Sequence, residues 1–183
     1  MKTIHKATKF DRGTIILHWV IAVLVFTLFF VGIWMVELGY YDPWYHRAPW
    51  WHKSVGVLLF IILSIRWVWN NIYNRNTSLP IVNSFQEKLS HFVHHLLNVF
   101  IVLISISGYF IVTAKGQGVT VFDWFHIPAL LTGVANLEDW AGEVHYYLAY
   151  VLMGFVTLHI LAALKHHFLD KDDVLMNMLG RRD

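Results

Sequence analysis

The chain has 183 residues, 57% of them hydrophobic and 14% charged, with a mean hydropathy of +0.51. A soluble domain carries roughly one quarter charged residues, so a water-soluble globular fold is excluded. The absence of cysteine excludes disulfides, Cys-ligated clusters, c-type haem attachment and thiol chemistry, and a net charge of +2 spread over several segments leaves no nucleic-acid footprint.

Four apolar stretches follow one another, each near the roughly 20 residues that a bilayer demands. They predict helices over about 14–36, 54–72, 89–113 and 143–166. The first, third and fourth are free of charge in their apolar interiors, and the second carries only Arg66 near its end. The first run is too long for a signal peptide and no small-residue cleavage site follows it, so it reads as a retained helix. The fold class is therefore all-α: an integral membrane four-helix bundle, one domain over 1–183, with the lipid bilayer as its solvent. Charge placement orients it. Lys2, Lys6, Lys9, Arg12, Arg66, Arg75, Lys88, Lys165, Lys171, Arg181 and Arg182 flank one side, and only Arg47, Lys53 and Lys115 the other. The positive-inside rule then places both termini in the cytoplasm.

The loops are read more coarsely. The exported 1–2 loop over 38–51 is aromatic, with Tyr40, Tyr41, Trp44, Tyr45, Trp50 and Trp51, and reads as an interfacial belt rather than as a stacking platform. The cytoplasmic 2–3 loop over 70–88 is polar, with a turn around Thr77–Pro80. The exported 3–4 loop over 115–142 is the longest. Its apolar part over 121–131 is expected to form a short helix on the membrane surface.

The histidines carry the chemistry. His145 and His159 lie fourteen residues apart, close to four turns, so both point one way at depths about 21 Å apart. Helices 1 and 3 run outward and helices 2 and 4 inward. His52 and His145 therefore share the exported level, and His18 and His159 the cytoplasmic level. A single buried histidine is more often an interhelical hydrogen bond than a ligand. Four at two depths suit haem, whose iron takes two axial nitrogens from facing helices. Two b-type haems are expected, with axial pairs His52/His145 and His18/His159. Bis-histidine iron has no open position, which suits electron transfer. Transition-metal transport competes, but no Asp or Glu lies within the apolar stretches to complete such a site.

Arg66 repeats the fourteen-residue interval from His52, which puts it on the same face one level deeper. It is a candidate for a haem propionate or a quinone carbonyl, against a plain role snorkelling to the interface. Lys53 is a similar candidate at the outer level. Gly56, one turn below His52, leaves room for a macrocycle edge, although small residues also serve helix packing. His91, His94 and His95 open the third helix without a facing ligand and are read as interfacial or propionate contacts. His166 and His167 are expected to face headgroups, and His5, His46 and His126 carry no inferable role.

The segments GTIILHWV (Gly13–Val20), WHKSVGVLLFIILSIR (Trp51–Arg66), Glu143–His159 and KHHFLDKDDVLMNML (Lys165–Leu179) resemble the bacterial cytochrome b561 family of four-helix dihaem proteins. The resemblance covers nearly the whole chain. It implies that His18, His52, His145 and His159 are the axial ligands, and a multi-pass place in the bacterial inner membrane. It further implies electron exchange between ubiquinone and a periplasmic electron-transfer partner, which for one member type is superoxide. The outer loops YYDPWYHRAPWWHK and VFDWFHIPAL mark a distinct subgroup. Their Arg47, Lys53 and Lys115 are outnumbered by Glu37, Asp42, Asp123, Glu138, Asp139 and Glu143, a balance that does not favour a superoxide funnel. The competing reading is a haem b membrane-anchor subunit of a larger dehydrogenase or hydrogenase-type complex.

Overall fold

The computed structural model describes residues 10–73 and 84–181. The expected turn around Thr77–Pro80, together with Lys2, Lys6, Lys9, Arg75, Arg182 and His5, lies outside the described residues. Among the described residues, four helices are long and apolar enough to cross a membrane. In chain order they are α1 (Arg12–Val36), α2 (Arg47–Tyr73), α3 (Ser84–Thr113) and α4 (Leu137–Lys165). They form two antiparallel hairpins, α1–α2 and α3–α4, joined chiefly where α2 meets α3. Large apolar side chains such as Ile16, Val23, Phe30, Trp67 and Leu158 stand exposed on the outside, as lipid-facing surface requires. This is a membrane four-helix bundle.

The helices begin earlier than hydropathy predicts. α2 starts at Arg47 instead of 54, because Pro49 is tolerated in a first turn and the Ala48 amide already donates to the Trp44 carbonyl at 2.8 Å. His52 is thereby inside the helix rather than before it. α4 starts at Leu137 instead of 143, with Glu138 and Asp139 in its first turn, where carboxylates favour the positive end of the helix dipole. α2 and α3 likewise extend into the expected 70–88 loop, to Tyr73 and from Ser84.

The surface helix expected over 121–131 is a β-hairpin instead. Strands β1 (Val119–Val121) and β2 (Phe125–Ile127) pair antiparallel, with Val119 opposite Ile127. The turn between them places Phe122 and Asp123 at positive φ (47° and 58°), and the Trp124 amide donates to the Val121 carbonyl at 2.9 Å. Val119 and Val121 are buried while Thr120 is exposed, the period-two pattern of a strand, which a short apolar run does not distinguish from a helix. The Phe122 amide donates to the fully buried Ser54 hydroxyl at 3.1 Å, and the Phe122 ring meets Trp50 and Trp51 edge-on. These two tryptophans clasp the hairpin onto α2, a use beyond the interfacial belt read for them.

The other end of the bundle is tied by Asp11, which caps α1. It accepts from the Thr14 amide at 3.1 Å and from Trp69 Nε1, near the end of α2, at 3.0 Å. Gly13 permits this closure, since a Cβ there would stand 2.5 Å from Trp69 Cζ2. Beyond α4 a π-helical turn (His166–Asp170) and α5 (Val174–Met178) fold back, and Trp19 Nε1 donates to the Met178 carbonyl at 2.9 Å. His166 does not simply face outward: its Nδ1 lies 2.8 Å from Asp172 and 3.2 Å from Asp170.

Candidate functional site

A layer of Ile21, Val25, Leu59, Leu63, Ile101 and Leu152 forms the apolar core. Leu59 lies seven residues from both His52 and Arg66, and Leu152 seven from both His145 and His159. Two turns in either direction from this layer, the same faces of α2 and α4 change from leucine to polar side chains. The core thus separates two polar levels, one toward the β-hairpin end and one toward the termini.

At the hairpin end, His52 of α2 and His145 of α4 face each other with ring centroids 6.1 Å apart and planes at 72°. At the termini end, His18 of α1 and His159 of α4 do the same at 6.3 Å and 67°. Two imidazoles sharing one iron have centroids about 6 Å apart, from two metal–nitrogen bonds of about 2 Å with each ring centre about 1 Å behind its nitrogen. Both separations fit that span.

Each hairpin-end ring rests against a glycine of the neighbouring helix. A Cβ on Gly32 would stand 3.3 Å from His52 Cε1, and one on Gly108 3.1 Å from His145 Cε1. His145 is also tethered: its Nδ1 lies 3.0 Å from the Ile104 carbonyl, which can only accept, so Nδ1 carries the proton and Nε2 keeps its lone pair. Ser107 stands beside this contact, its hydroxyl donating to the same carbonyl at 2.9 Å and lying 3.2 Å from His145 Nδ1. By contrast, His52 Nδ1 is buried with no hydrogen-bond partner. A cavity of about 360 Å³ flanks His52, walled by Trp34, Trp44 and Trp51. A Cβ on Gly56 would meet nothing within 4 Å, so this glycine opens onto space and is not required by helix packing. Lys53 is half-buried beside His52.

At the termini end, Arg66 lies within electrostatic reach of His18 and His159. Its Nε is buried without a partner, an orphaned donor of the kind an anionic group would satisfy. Sequence reasoning missed one member of this cluster. His94 of α3 meets His159 edge-on with centroids 5.1 Å apart, and lies within reach of Arg66. The sequence offers His94 no facing ligand of its own, whereas in the fold its neighbour His159 is a side chain already paired with His18. His91 and His95 are exposed, as is His94, and His91 lies within electrostatic reach of His94.

The charges of the connection between α3 and α4 are partly paired internally. Lys115 pairs with Glu138 at 2.6 Å, and the hydrogen bond to that carboxylate holds its ammonium above the ordinary lysine range. The bundle therefore offers two imidazole pairs in apolar surroundings, an anion-seeking arginine at one level, and space around the other.

Comparison with known proteins agrees with this architecture. The family model for prokaryotic cytochrome b561 matches residues 9–181. Cytochrome b561 homolog 2 of Escherichia coli is 43% identical over 164 residues, covering 90% of this chain and 87% of that protein. Cytochrome b561 homolog 1 of Escherichia coli is 23% identical over 180 residues, 95% of this chain and 98% of that one. A Yersinia pestis protein named "Probable superoxide oxidase CybB" is 25% identical over 172 residues, 91% and 93% of the two chains. With a match across almost the entire bundle, this chain belongs to the prokaryotic cytochrome b561 family and is a multi-pass bacterial membrane cytochrome of the b type.

Proposed function

We propose that the protein holds two b-type haems and passes electrons across the bacterial inner membrane between a periplasmic donor and ubiquinone. The observation that carries this reading is the pair of facing imidazoles at each of two levels, 6.1 and 6.3 Å apart. His52 and His145 are the axial ligands of one haem, His18 and His159 those of the other. Each haem, when bound, supplies a one-electron couple with both axial positions filled, which favours electron transfer over oxygen binding. The surplus of Lys and Arg on the termini side supports a cytoplasmic placement of both ends. The hairpin-end haem is then periplasmic and the termini-end haem cytoplasmic.

The protein's own groups do the rest. The Ile104 carbonyl fixes the His145 tautomer, and Gly32 and Gly108 leave the rings room to turn inward. Gly56 would give space for a macrocycle edge, Lys53 would serve an anionic group at the outer level, and Arg66 would offer its buried, unpartnered Nε to a propionate or a quinone carbonyl. The apolar layer around Leu59 and Leu152 keeps water and ions from bridging the two levels.

One relative bears the name of a superoxide oxidase. Superoxide as donor is weakened here by the acidic balance of the exported loops and by the ion pair that occupies Lys115. Another small donor or a docked periplasmic protein fits this surface better. The test is direct: purified protein shows a b-type spectrum with two haems per polypeptide, and after dithionite reduction a ubiquinone analogue reoxidises it. Failure of the quinone analogue to reoxidise the reduced protein removes the quinone link, and a missing Soret band removes the haem reading altogether.

A further inference from the structure

The connection between α3 and α4 presents large apolar side chains to its surroundings. Trp124 and Leu130 are each 75% exposed, and Phe125 and Leu131 are exposed as well. All four lie between the two membrane-crossing helices rather than on them. The segment is nevertheless fastened to three helices. The Phe122 amide donates to the Ser54 hydroxyl of α2 at 3.1 Å. The Tyr109 hydroxyl of α3 donates to the Pro128 carbonyl at 2.7 Å and accepts from the Leu130 amide at 2.8 Å. Lys115 reaches Glu138 in the first turn of α4. A face held in this way is preformed, so a contact made there would have little chain left to order. Exposed apolar side chains gathered on such a face mark a contact surface.

Charge decides what the surface contacts. Asp123 in the hairpin turn, and Asp139 and Glu143 in the first two turns of α4, are exposed, and none of them enters an ion pair among the described residues. The one lysine of the connection, Lys115, is already paired with Glu138. Lipid fits poorly. Asp123 sits between Phe122 and Trp124, so sinking Trp124 into hydrocarbon would draw a carboxylate in with it. A second copy fits poorly too, because the same acidic rim would meet its own like. A protein with lysines and arginines around an apolar centre complements both features.

We propose that the apolar face of Trp124, Phe125, Leu130 and Leu131, rimmed by Asp123, Asp139 and Glu143, docks a basic, water-soluble protein at the hairpin end of the bundle. This rests on the reading that a donor approaches the His52/His145 level, and it adds the chemistry of that donor's surface. The place suits the task. The Phe122 ring stands 5.3 Å from that of Trp124 and 5.4 Å from that of Trp51, the residue next to His52. A partner seated on Trp124 is thus separated from the His52 segment by one layer of aromatic rings.

The experiment uses the full-length, haem-loaded protein in nanodiscs of neutral phosphatidylcholine. The probe is a lysine-rich cytochrome c, and the same cytochrome with its lysines acetylated is the control. The unmodified probe should bind, and the acetylated one about tenfold more weakly. Raising the ionic strength from about 0.01 to 0.15 M shortens the screening length from about 30 to 8 Å and should weaken the binding. The combined variant Asp123→Asn, Asp139→Asn, Glu143→Gln should bind the unmodified probe about tenfold more weakly than the wild type and with a flatter salt dependence. Because the chain has no cysteine, Trp124→Cys offers a unique position for a spin label. That label should be open to a water-soluble relaxant and should lose mobility when the probe is added, a readout that decides the matter even if the combined variant does not fold. The proposal is overturned if the combined variant binds like the wild type, or if the probe leaves the label's mobility unchanged. It is overturned equally if lipid shields the label, or if light scattering shows a dimer that Trp124→Ala dissolves, which would give the face to the bilayer or to a second copy. A protein with two haems that does not bind the probe defeats only this docking surface, whereas one that binds the probe without holding haem defeats the function on which it rests.

Discussion

His52 and His145 meet across the seam between the two helical hairpins with their ring centroids 6.1 Å apart, one ring tethered to a carbonyl and the other with a buried, unpartnered Nδ1. Because each hairpin contributes one ring, neither α1–α2 nor α3–α4 can form the pair alone. Replacing either ring by alanine should reduce haem from two to one per polypeptide and leave the His18/His159 level loaded. Haem quantitation on purified His52→Ala and His145→Ala checks this. Retention of both haems in either variant would show that the ring concerned is not a ligand.

The position of His94 leads to a different expectation. Its ring lies 5.1 Å from that of His159, about 1 Å less than two ligands of one iron require, so the two cannot be trans ligands of the same metal. His94→Ala should therefore keep both haems while altering the spectrum or midpoint of the termini-end one, which it touches through His159. Loss of one haem in His94→Ala, with His18→Ala retaining both, would transfer the ligand role from His18 to His94.

Much of this was legible in the sequence, and for identifiable reasons. The fourteen-residue intervals survive because a helix keeps its phase over four turns, so His145, Leu152 and His159 stay on one face without help from the rest of the fold. The helix starts were not legible, since hydropathy reports contact with lipid and not hydrogen bonding. Arg47–Lys53 and Leu137–Gly142 are helical, yet too polar or too aromatic to look like spans. The β-hairpin was hidden for another reason: Val119–Val121 is three residues long, and its turn depends on two positive φ values, one of them at Phe122, a residue type that rarely adopts it. His94 was hidden because its neighbour lies on another helix, and periodicity within one helix says nothing of what crosses the seam.

Gly56 separates two accounts of a glycine in a membrane helix. Packing against a neighbour would leave a Cβ in contact, but a Cβ here meets nothing within 4 Å, one turn from His52 on the same face. Gly56→Ala should therefore be neutral to folding. Gly56→Phe should lower haem occupancy at the hairpin end while the His18/His159 haem remains. The check is haem content together with elution volume in detergent. If Gly56→Phe loads both haems normally, the space at this glycine is not used by the cofactor.

The tie at the termini end predicts a pH dependence outside the membrane. Asp11 is held below the ordinary carboxylate range. Burial pushes its pKa upward, but hydrogen bonds from Thr14, Trp69 and the Gly13 amide outweigh it. With the folded value depressed below the unfolded value of about 3.9, the stabilisation is complete above that pH and is lost as pH falls through the folded value. Asp11→Ala removes the helix cap, which costs about 0.5–2 kcal/mol, and also leaves Trp69 Nε1 without its carboxylate partner. Thermal unfolding in detergent at neutral pH should show a lower midpoint for Asp11→Ala than for the wild type, and the gap should narrow on acidification below about pH 4. Asp11→Asn, which keeps an acceptor oxygen, should fall between the two at neutral pH and show a weaker acid dependence than the wild type. A gap between Asp11→Ala and the wild type that stays constant down to pH 3 would mean that the carboxylate charge contributes nothing and that the cap acts through shape alone.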